Sequence, residues 1–518
     1  MFAEVLSAAL LGVDAYQVKV ESHLENPGGT SDNPFVVVGL PDGAVKESRA
    51  RVSAAVKNSG LMFPYKRITV NLAPADIRKE GSAFDLPMAI GILTASGQIM
   101  PNGLESTAIL GELALDGKIR LIRGALPIAS SLQKSGVKRI IVPEANAREA
   151  AMVPGIEVFP MECLRDAVDF LNGAASAEAF TVDRDAVFEE AREFVGDFSE
   201  VRGQTSVKRA VEIAAAGGHN ILMIGPPGSG KTMLARRLPS ILPEFTLDEA
   251  LETTRVHSVA GMLRPGQAVV ANRPFRSPHH TVSDAGLIGG GMIPRPGEVS
   301  LAHNGVLFLD ELPEFHKNVL EVLRQPLEDA VVTISRAAIS LSYPANFMLV
   351  AAMNPCPCGY LTDPDKECKC TPEQIRRYVS KVSGPLLDRI DLHVEVPRVK
   401  WKELASTQPA EDSMTIRKRV SLCRHRQRQR FLSTRSDLYS NSQMTNREVE
   451  RFAPLDGPSM DMLQKAIERM GLSARAYHRI RKIARTIADL DGSDDILLPH
   501  VIEAIQYRSL DRIQELSA

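Results

Sequence analysis

Eight consecutive residues in the middle of the chain form a phosphate-binding pattern, Gly225-Pro226-Pro227-Gly228-Ser229-Gly230-Lys231-Thr232. An apolar run at 220–224 precedes the pattern and predicts a strand, and residues 233–238 have the composition of a helix. In that setting glycines let backbone N–H groups close around phosphates, and the helix N-terminus adds positive potential. We expect Lys231 to reach the outer phosphates and the Thr232 hydroxyl to bind Mg²⁺. The pattern predicts an ATP site on an α/β sheet.

Polar residues follow two further apolar runs. The run at 306–309 ends in Asp310 and Glu311. At a strand tip, Asp310 is placed to hold Mg²⁺, and Glu311 to orient and deprotonate an attacking water. Many buried strands end in acidic residues, so the pair alone is a weak indication of a magnesium site. It becomes a strong one because the phosphate-binding pattern lies upstream. The run at 347–353 ends in Asn354, which either holds that water or caps a turn before the next residue, a proline.

Phosphoryl transfer also requires a cation to oppose the developing negative charge. Two arginines are candidates: Arg389, within the string LLDRID at 386–391, and Arg475, at the end of GLSAR at 471–475. Taken alone, each is equally an ordinary surface ion-pair partner.

The length of 518 residues predicts about three domains, at roughly 100–200 residues each. Residues 1–172 alternate strand-like and amphipathic patterns and predict a mixed α/β domain. Residues 173–200 are rich in Ala, Glu and Asp and indicate a linker. Residues 201–400 alternate short apolar strands with helices, as in a parallel sheet. Residues 401–518 are typical of helices throughout.

The formal net charge of −2 excludes a general attraction to nucleic acid, so any DNA binding must come from a local basic lining. The basic run at 417–430 is more typical of a solvated helix face than of a DNA contact. The apolar stretches are too short to span a membrane, and the N-terminus lacks a basic leader. We therefore expect a cytoplasmic protein.

Four of the six cysteines lie in one short segment, as Cys356-x-Cys358 and Cys368-x-Cys370. Such clustering indicates a metal site or reduced thiols rather than a disulfide framework. Four thiolates can hold Zn²⁺ tetrahedrally. Because the spacing departs from the usual two-residue gap between paired ligands, a redox-sensitive loop remains the alternative.

Four further strings stand out in the sequence: VGLPDGAV at 38–45, NLAPAD at 71–76, FRSPHHT at 275–281 and NPCPCG at 354–359. Through these strings the chain resembles, over nearly its whole length, the ComM/YifB family, Mg-chelatase-like AAA+ proteins linked to natural transformation. The resemblance implies a homo-hexameric ring with ATP between neighbours, acting as a helicase in branch migration on single-stranded or branched DNA. A protein-remodelling or metal-chelatase motor is the alternative.

The resemblance also implies roles for individual residues. Arg389 looks like an arginine finger given to the next subunit, and Arg475 like the sensor-2 arginine of the helical lid, acting in cis or in trans. The segment 331–340 is similar to a pore hairpin with Arg336 at its tip, and a solvated hairpin arginine is the alternative. A second pore segment at 286–297 contains Arg295, and its glycines and prolines favour a mobile loop.

Two adjacent histidines, His279 and His280, occur within the string FRSPHHT. Neighbouring side chains on an extended segment point in opposite directions, so the pair would rarely bind one metal ion. We expect hydrogen-bonding or nucleotide-sensing roles instead, near a subunit interface.

The N-terminal segments 79–86 and 111–127 resemble the Lon-type peptidase domain, whose lysine activates a serine. Here Ala83 stands at the serine position and Pro127 at the lysine position, while Ser82 is one residue out of place. We therefore expect a non-catalytic module. The predicted fold class is α/β: a Lon-protease-like N-terminal domain, a central AAA+ P-loop domain with a parallel sheet, and a C-terminal helical lid.

Overall fold

The computed structural model of the protein describes residues 1–26, 35–77, 79, 81–101, 103–192, 196–291, 294–335, 340–363, 365–399, 410–432 and 438–508. These residues form two compact units. The first comprises residues 1–192 with 247–271 and 340–343, and the second comprises the rest. None of the described helices is both long and apolar enough to cross a membrane.

The strands in chain order are β1 Phe2–Leu11, β2 Asp14–Glu25, β3 Phe35–Val38, β4 Arg67–Ala73, β5 Thr107–Ile109, β6 Glu112–Leu113, β7 Ile119–Arg120, β8 Arg139–Pro143, β9 Glu157–Met161, β10 Ile221–Ile224, β11 Phe275–Arg276, β12 Gly289–Gly290, β13 Arg295–Pro296, β14 Val306–Leu309, β15 Val331–Ser335, β16 Ser340–Pro344, β17 Met348–Met353 and β18 Leu392–Glu395.

The α-helices in chain order are α1 Gly43–Asn58, α2 Asp85–Ala95, α3 Ala125–Lys134, α4 Ala147–Ala150, α5 Leu164–Leu171, α6 Arg184–Glu190, α7 Thr205–Gly217, α8 Lys231–Arg237, α9 Leu247–Ala260, α10 Asp284–Ile288, α11 Glu298–Leu301, α12 Lys317–Glu321, α13 Arg324–Asp329, α14 Pro372–Val379, α15 Gly384–Leu387, α16 Ser413–Leu432, α17 Asn446–Phe452, α18 Gly457–Met470, α19 Ala474–Asp491 and α20 Leu498–Gln506.

The first unit is built on a seven-stranded sheet in the order β3-β4-β2-β1-β5-β8-β9. β2 runs antiparallel to both β1 and β4, and the remaining pairs are parallel. In β4, buried Ile68, Val70 and Leu72 alternate with more exposed residues, the period expected of a strand with one face on the core. The predicted mixed α/β domain is confirmed.

The second unit contains a five-stranded sheet in the order β11-β14-β17-β10-β18, parallel throughout. Every residue of β10, β14 and β17 is buried. Strands that are covered on both faces appear in the sequence as continuous apolar runs, which is why these three could be predicted. Since parallel strands end at the same edge, the segments after β10, β14 and β17 meet there. The predicted parallel sheet is confirmed.

The C-terminal region of the second unit is helical, as predicted, and its apolar faces share one core with the five-stranded sheet. The basic run lies on α16. Arg417 donates to the Ser240 carbonyl at 2.8 Å, and Arg424 donates to the Ala216 carbonyl, in the last turn of α7, at 3.1 Å. The expectation of a solvated face is wrong for these two arginines, because they satisfy backbone carbonyls that lack helical partners.

Candidate functional site

The phosphate loop joins β10 to α8 and requires glycine at two positions. Gly228 has φ 75° and Gly230 has φ 90°, both in the left-handed region where a Cβ is strained. Gly230 is the residue that precedes α8, so the turn delivers the chain directly into a helix N-terminus. Ser229, between the two glycines, is buried. The loop therefore has the backbone geometry expected of a phosphate cradle.

Lys231 is the first residue of α8, and its side chain is buried under the loop. Its Nζ donates to the carbonyls of Gly225 at 2.7 Å and Pro226 at 3.0 Å. It also donates to Oδ1 of Asn354, after β17, at 3.3 Å. Two residues predicted from separate motifs are thus in direct contact at one edge of the sheet.

The predicted metal ligands also meet at this edge. The Thr232 hydroxyl donates to Oδ2 of Asp310 at 2.7 Å. Ligand oxygens on adjacent corners of an octahedral Mg²⁺ lie roughly 3.0 Å apart, so this pair fits such an ion. Burial lowers the pKa of Lys231, while the charges of Asp310 and Glu311 oppose that shift.

Glu311 follows Asp310 and is exposed, with a left-handed backbone at φ 53°. Its Oε2 lies 3.6 Å from Nδ1 of His280. The rings of His279 and His280 lie side by side, with centroids 4.0 Å apart. The prediction that the two side chains point apart is wrong, because the chain turns at His280 instead of remaining extended.

Arg389 is not exposed to solvent: its side chain is only 5% accessible. The guanidinium forms an ion pair with Glu328 and donates to the Pro385 carbonyl at 2.7 Å. Burial lowers the pKa of Arg389, and the negative charge of Glu328 raises it. In this conformation the guanidinium is occupied within its own chain.

The position of Arg389 in the sheet separates it from the phosphate loop of the same chain. Leu392, at the start of β18, pairs with Ile221, at the start of β10. The phosphate loop leaves the other end of β10, after Ile224. Four residues of strand cover about 13 Å. Arg389 and the phosphate loop therefore lie at opposite edges of the sheet.

Arg475 is exposed in the first turn of α19. Its charge lowers the pKa of the Arg389 guanidinium, after the larger effects of burial, Glu328 and Arg324. One turn further along α19, Arg479 forms an ion pair with Asp391 and donates to the Arg389 carbonyl at 2.9 Å. Helix α19 is thus attached to the segment that carries Arg389.

Gln204 and Arg479 were not identified from the sequence. Gln204 precedes α7 with φ 54°, and its Nε2 donates to the carbonyls of Ser229 and Pro397, both at 2.8 Å. It therefore ties the phosphate loop to the segment after β18. No local signal marks Gln204, whereas Arg479 lies four residues after Arg475 on one helix face, a spacing that could have identified it.

The four clustered cysteines converge as predicted. The Sγ atoms of Cys356 and Cys358 are 3.3 Å apart, and Cys368 lies 3.6 Å from the first and 3.5 Å from the second. With Cys370, all four sulfurs lie within 4.8 Å of one another, and none forms a disulfide. Sulfurs around a tetrahedral Zn²⁺ lie roughly 3.8 Å apart, so the set fits that ion.

Of the two arginines predicted to contact DNA, one lies among the described residues. Arg336 lies outside the described residues, although β15 and β16 on either side of it pair in a two-stranded sheet. Arg295 is exposed on β13, which pairs antiparallel with β12. The glycine-rich segment around Arg295 contains α10 and these paired strands.

In the first unit, the Ser82 hydroxyl donates to the carboxylate of Glu112. Ala83 and buried Pro127 carry no group for proton transfer. Lys79 is buried, and its Nζ donates to the Ile77 carbonyl at 2.7 Å. These contacts give the serine a carboxylate neighbour in place of the lysine that a Lon-type dyad requires.

Comparison with known proteins matches the chain to three family models. They are magnesium chelatase subunit ChlI at residues 197–404, subunit ChlI of Mg-chelatase at 20–146, and the ChlI C-terminal region at 410–508. The chain is 46% identical over 526 residues to competence protein ComM of Haemophilus influenzae, covering 99% of both chains. It is 44% identical over 512 residues to the uncharacterized protein YifB of Escherichia coli, covering 98% and 97%. The chloroplastic magnesium-chelatase subunit ChlI of Nicotiana tabacum is 25% identical over 42% of this chain and 51% of its own.

Proposed function

Because the chain belongs to the ComM/YifB family of Mg-chelatase-like AAA+ proteins, we propose that it is a hexameric ATP-driven motor that moves DNA branches. The observation that carries the proposal is the division of the nucleotide site, with the phosphate loop and Arg389 at opposite sheet edges. Such a chain hydrolyses ATP only where a second copy supplies the arginine. Identical head-to-tail contacts between copies form a ring when the rotation between neighbours closes, and the ring proposed here has six subunits.

Within one chain, the groups at the carboxyl edge bind and orient ATP. The phosphate loop and Lys231 hold the phosphates, and Thr232 and Asp310 would hold Mg²⁺, which neutralises charge on the phosphates. Glu311 acts as the general base toward water, and Asn354, already bonded to Lys231, positions that water.

His280 sets the orientation of Glu311. The 3.6 Å approach places an imidazole beside the carboxylate, and the tilted His279 ring, with its centroid 4.0 Å away, restricts the movement of that imidazole. An exposed glutamate samples many rotamers, so a neighbouring donor concentrates it in fewer. His280 is therefore a positioning residue rather than a catalytic one.

Arg389 and Arg475 act in trans, on the nucleotide of a neighbouring subunit. The two arginines lie near each other and share an attachment through Arg479, and Arg389 lies at the edge opposite its own phosphate loop. To reach the nucleotide of a neighbour, the Arg389 guanidinium must leave Glu328. The phosphates of that ATP can induce this movement because they carry more negative charge than one carboxylate.

DNA is the proposed substrate because one of the relatives that align end to end is named a competence protein. The strands β15 and β16 form the arms of a hairpin whose connecting residues include Arg336, and Arg295 is exposed on a second hairpin. Repetition around a ring would give the local basic lining that the net charge of −2 makes necessary. The proposed compartment is the cytoplasm.

The alternative is a protein-remodelling or metal-chelatase-type motor, which the names of the matching family models favour. Purified protein incubated with a mobile four-way junction, with and without ATP, separates the two. We expect ATP-dependent branch migration that Lys231→Ala abolishes. ATPase activity that neither responds to DNA nor moves the junction would support the alternative.

Zinc is the second proposed metal, held by Cys356, Cys358, Cys368 and Cys370. The backbone N–H of Cys358 donates to the Cys370 sulfur at 3.4 Å. Such donors stabilise sulfur that carries negative charge, as a metal-bound thiolate does.

A further inference from the structure

The segment that carries the four cysteines, 356–370, lies directly against the phosphate loop. Gly359, between Cys358 and Tyr360, is buried with φ 82°. A Cβ added there would lie 2.6 Å from Cδ and 2.8 Å from Cγ of Pro227. Contacts under about 3.0 Å are not tolerated between carbons, so only glycine lets the backbone approach Pro227 so closely. The two segments are in van der Waals contact at the site where phosphates would bind.

The helix that follows this segment lies close to the nucleotide site. Helix α14 begins two residues after Cys370, and burial raises the pKa of its Tyr378 hydroxyl while the nearby backbone of Asn354 opposes that shift. Asn354 in turn accepts from Lys231. The segment thus touches the phosphate loop through Gly359, and α14 approaches the predicted water-binding residue through Tyr378.

Between Asn354 and α14 the described residues contain no helix or strand, so regular hydrogen bonding does not fix this segment. A metal ion bound by the four converged sulfurs would fix the segment instead. Such a cross-link closes a loop and removes conformations that would otherwise compete with the folded one. We infer that Zn²⁺ bound by the four cysteines braces the phosphate loop through Gly359 and Pro227, so that nucleotide affinity depends on zinc occupancy. This inference rests on the zinc site of the proposed function.

Three proteins test the inference: the wild type, Cys368→Ser/Cys370→Ser, and Cys163→Ser as a control thiol outside the cluster. Metal content is measured by inductively coupled plasma mass spectrometry, and ADP affinity by titration calorimetry. We expect one zinc per chain in the wild type and the control, and none in the double variant. ADP should bind about tenfold more weakly to the double variant, because an unbraced loop must be ordered on binding.

Pro227→Ala identifies the route of the effect. It removes the ring that contacts Gly359 and leaves all four ligands in place. We expect full zinc content, weaker ADP binding, and no additional loss when the cysteine changes are combined with it. Should the double variant fail to fold, zinc is instead removed from wild-type protein with a chelator and restored, and ADP affinity is followed through the cycle.

The outcomes are distinct. If the wild type binds zinc, the double variant does not, and both bind ADP with the same affinity, the inference that zinc braces the phosphate loop is wrong but the zinc site remains supported. Wild-type protein without zinc overturns both. ADP binding requires neither hydrolysis nor DNA, so a failure of branch migration does not bear on this result.

Discussion

Replacing Arg389 with alanine should abolish ATP hydrolysis in a ring of identical subunits without unfolding them. Its partner Glu328 is 48% exposed, so the carboxylate left behind remains hydrated. A substitution of this kind costs roughly 1–3 kcal/mol, below the stability of about 5–15 kcal/mol of an ordinary domain. An arginine supplied to a transferring phosphoryl group is worth about 10³–10⁵ in kcat, or about 4–7 kcal/mol of barrier. The catalytic loss should therefore far exceed the structural one.

The assay is phosphate release on mixing Arg389→Ala with Lys231→Ala, each inactive alone. In randomly mixed rings with equal amounts of each, about one quarter of sites combine an intact Lys231 with an intact Arg389 from the neighbour. We expect activity to return toward that fraction. Arg389→Lys is the matched control, since it keeps the charge but loses the planar fork, and it should remain strongly impaired.

No recovery at any mixing ratio, in rings whose mixed composition native mass spectrometry confirms, would refute action in trans. High activity in Arg389→Ala alone would refute the assignment of the finger itself. The thermal midpoint of each variant distinguishes either result from loss of folding.

Three further predictions concern the remaining groups. Lys231→Ala should abolish ATP binding, whereas Glu311→Gln should keep binding and lower kcat by about 10²–10⁴, measured by nucleotide titration and turnover; near-normal turnover in Glu311→Gln would mean that another group is the base. His280→Ala should lower kcat with little change in KM, and His280→Asn should restore part of it; an unchanged kcat in His280→Ala excludes positioning of Glu311. Arg336→Ala should weaken DNA binding and reduce its salt dependence while basal ATPase persists, measured by anisotropy against salt, with Arg295→Ala compared alongside; unchanged binding makes Arg336 a solvated residue.

The carboxyl edge of the central sheet could be predicted because each part of it is local in sequence. The phosphate loop needs its glycines in consecutive residues, and buried parallel strands appear as apolar runs ending in Asp310 and Asn354. The strand order then brings these ends together without further information. That is why Thr232 meets Asp310, and Lys231 meets Asn354, in the structure.

The opposite edge could not be predicted in the same way, because its contacts join residues far apart in sequence. Glu328 and Arg389 are brought together only by the folded sheet, and no spacing rule connects them. The prediction for the histidine pair was wrong for a different reason. Alternation of side chains holds for extended backbone, and a turn at His280 places both rings on one side.

Asp391 connects α19 to the segment that carries Arg389. It is buried and accepts from Arg479 of α19, and it lies 3.5 Å from Nδ1 of His219. Burial alone would raise the pKa of Asp391, but the charge of Arg479 and the adjacent His219 ring hold it well below its usual value. Removing one partner of such a buried pair costs about 3–5 kcal/mol, more than a small rearrangement normally supplies.

The pair should therefore persist while the subunit works. Arg479 also holds the Arg389 carbonyl, so α19 and the segment at 389–391 move as one body. Arg475, one turn earlier on that helix, is carried with them. In the hexamer proposed above, a neighbour's phosphates that shift the Arg389 backbone would therefore shift α19 as well. Such a link would pass the nucleotide state of one subunit to the next as a movement.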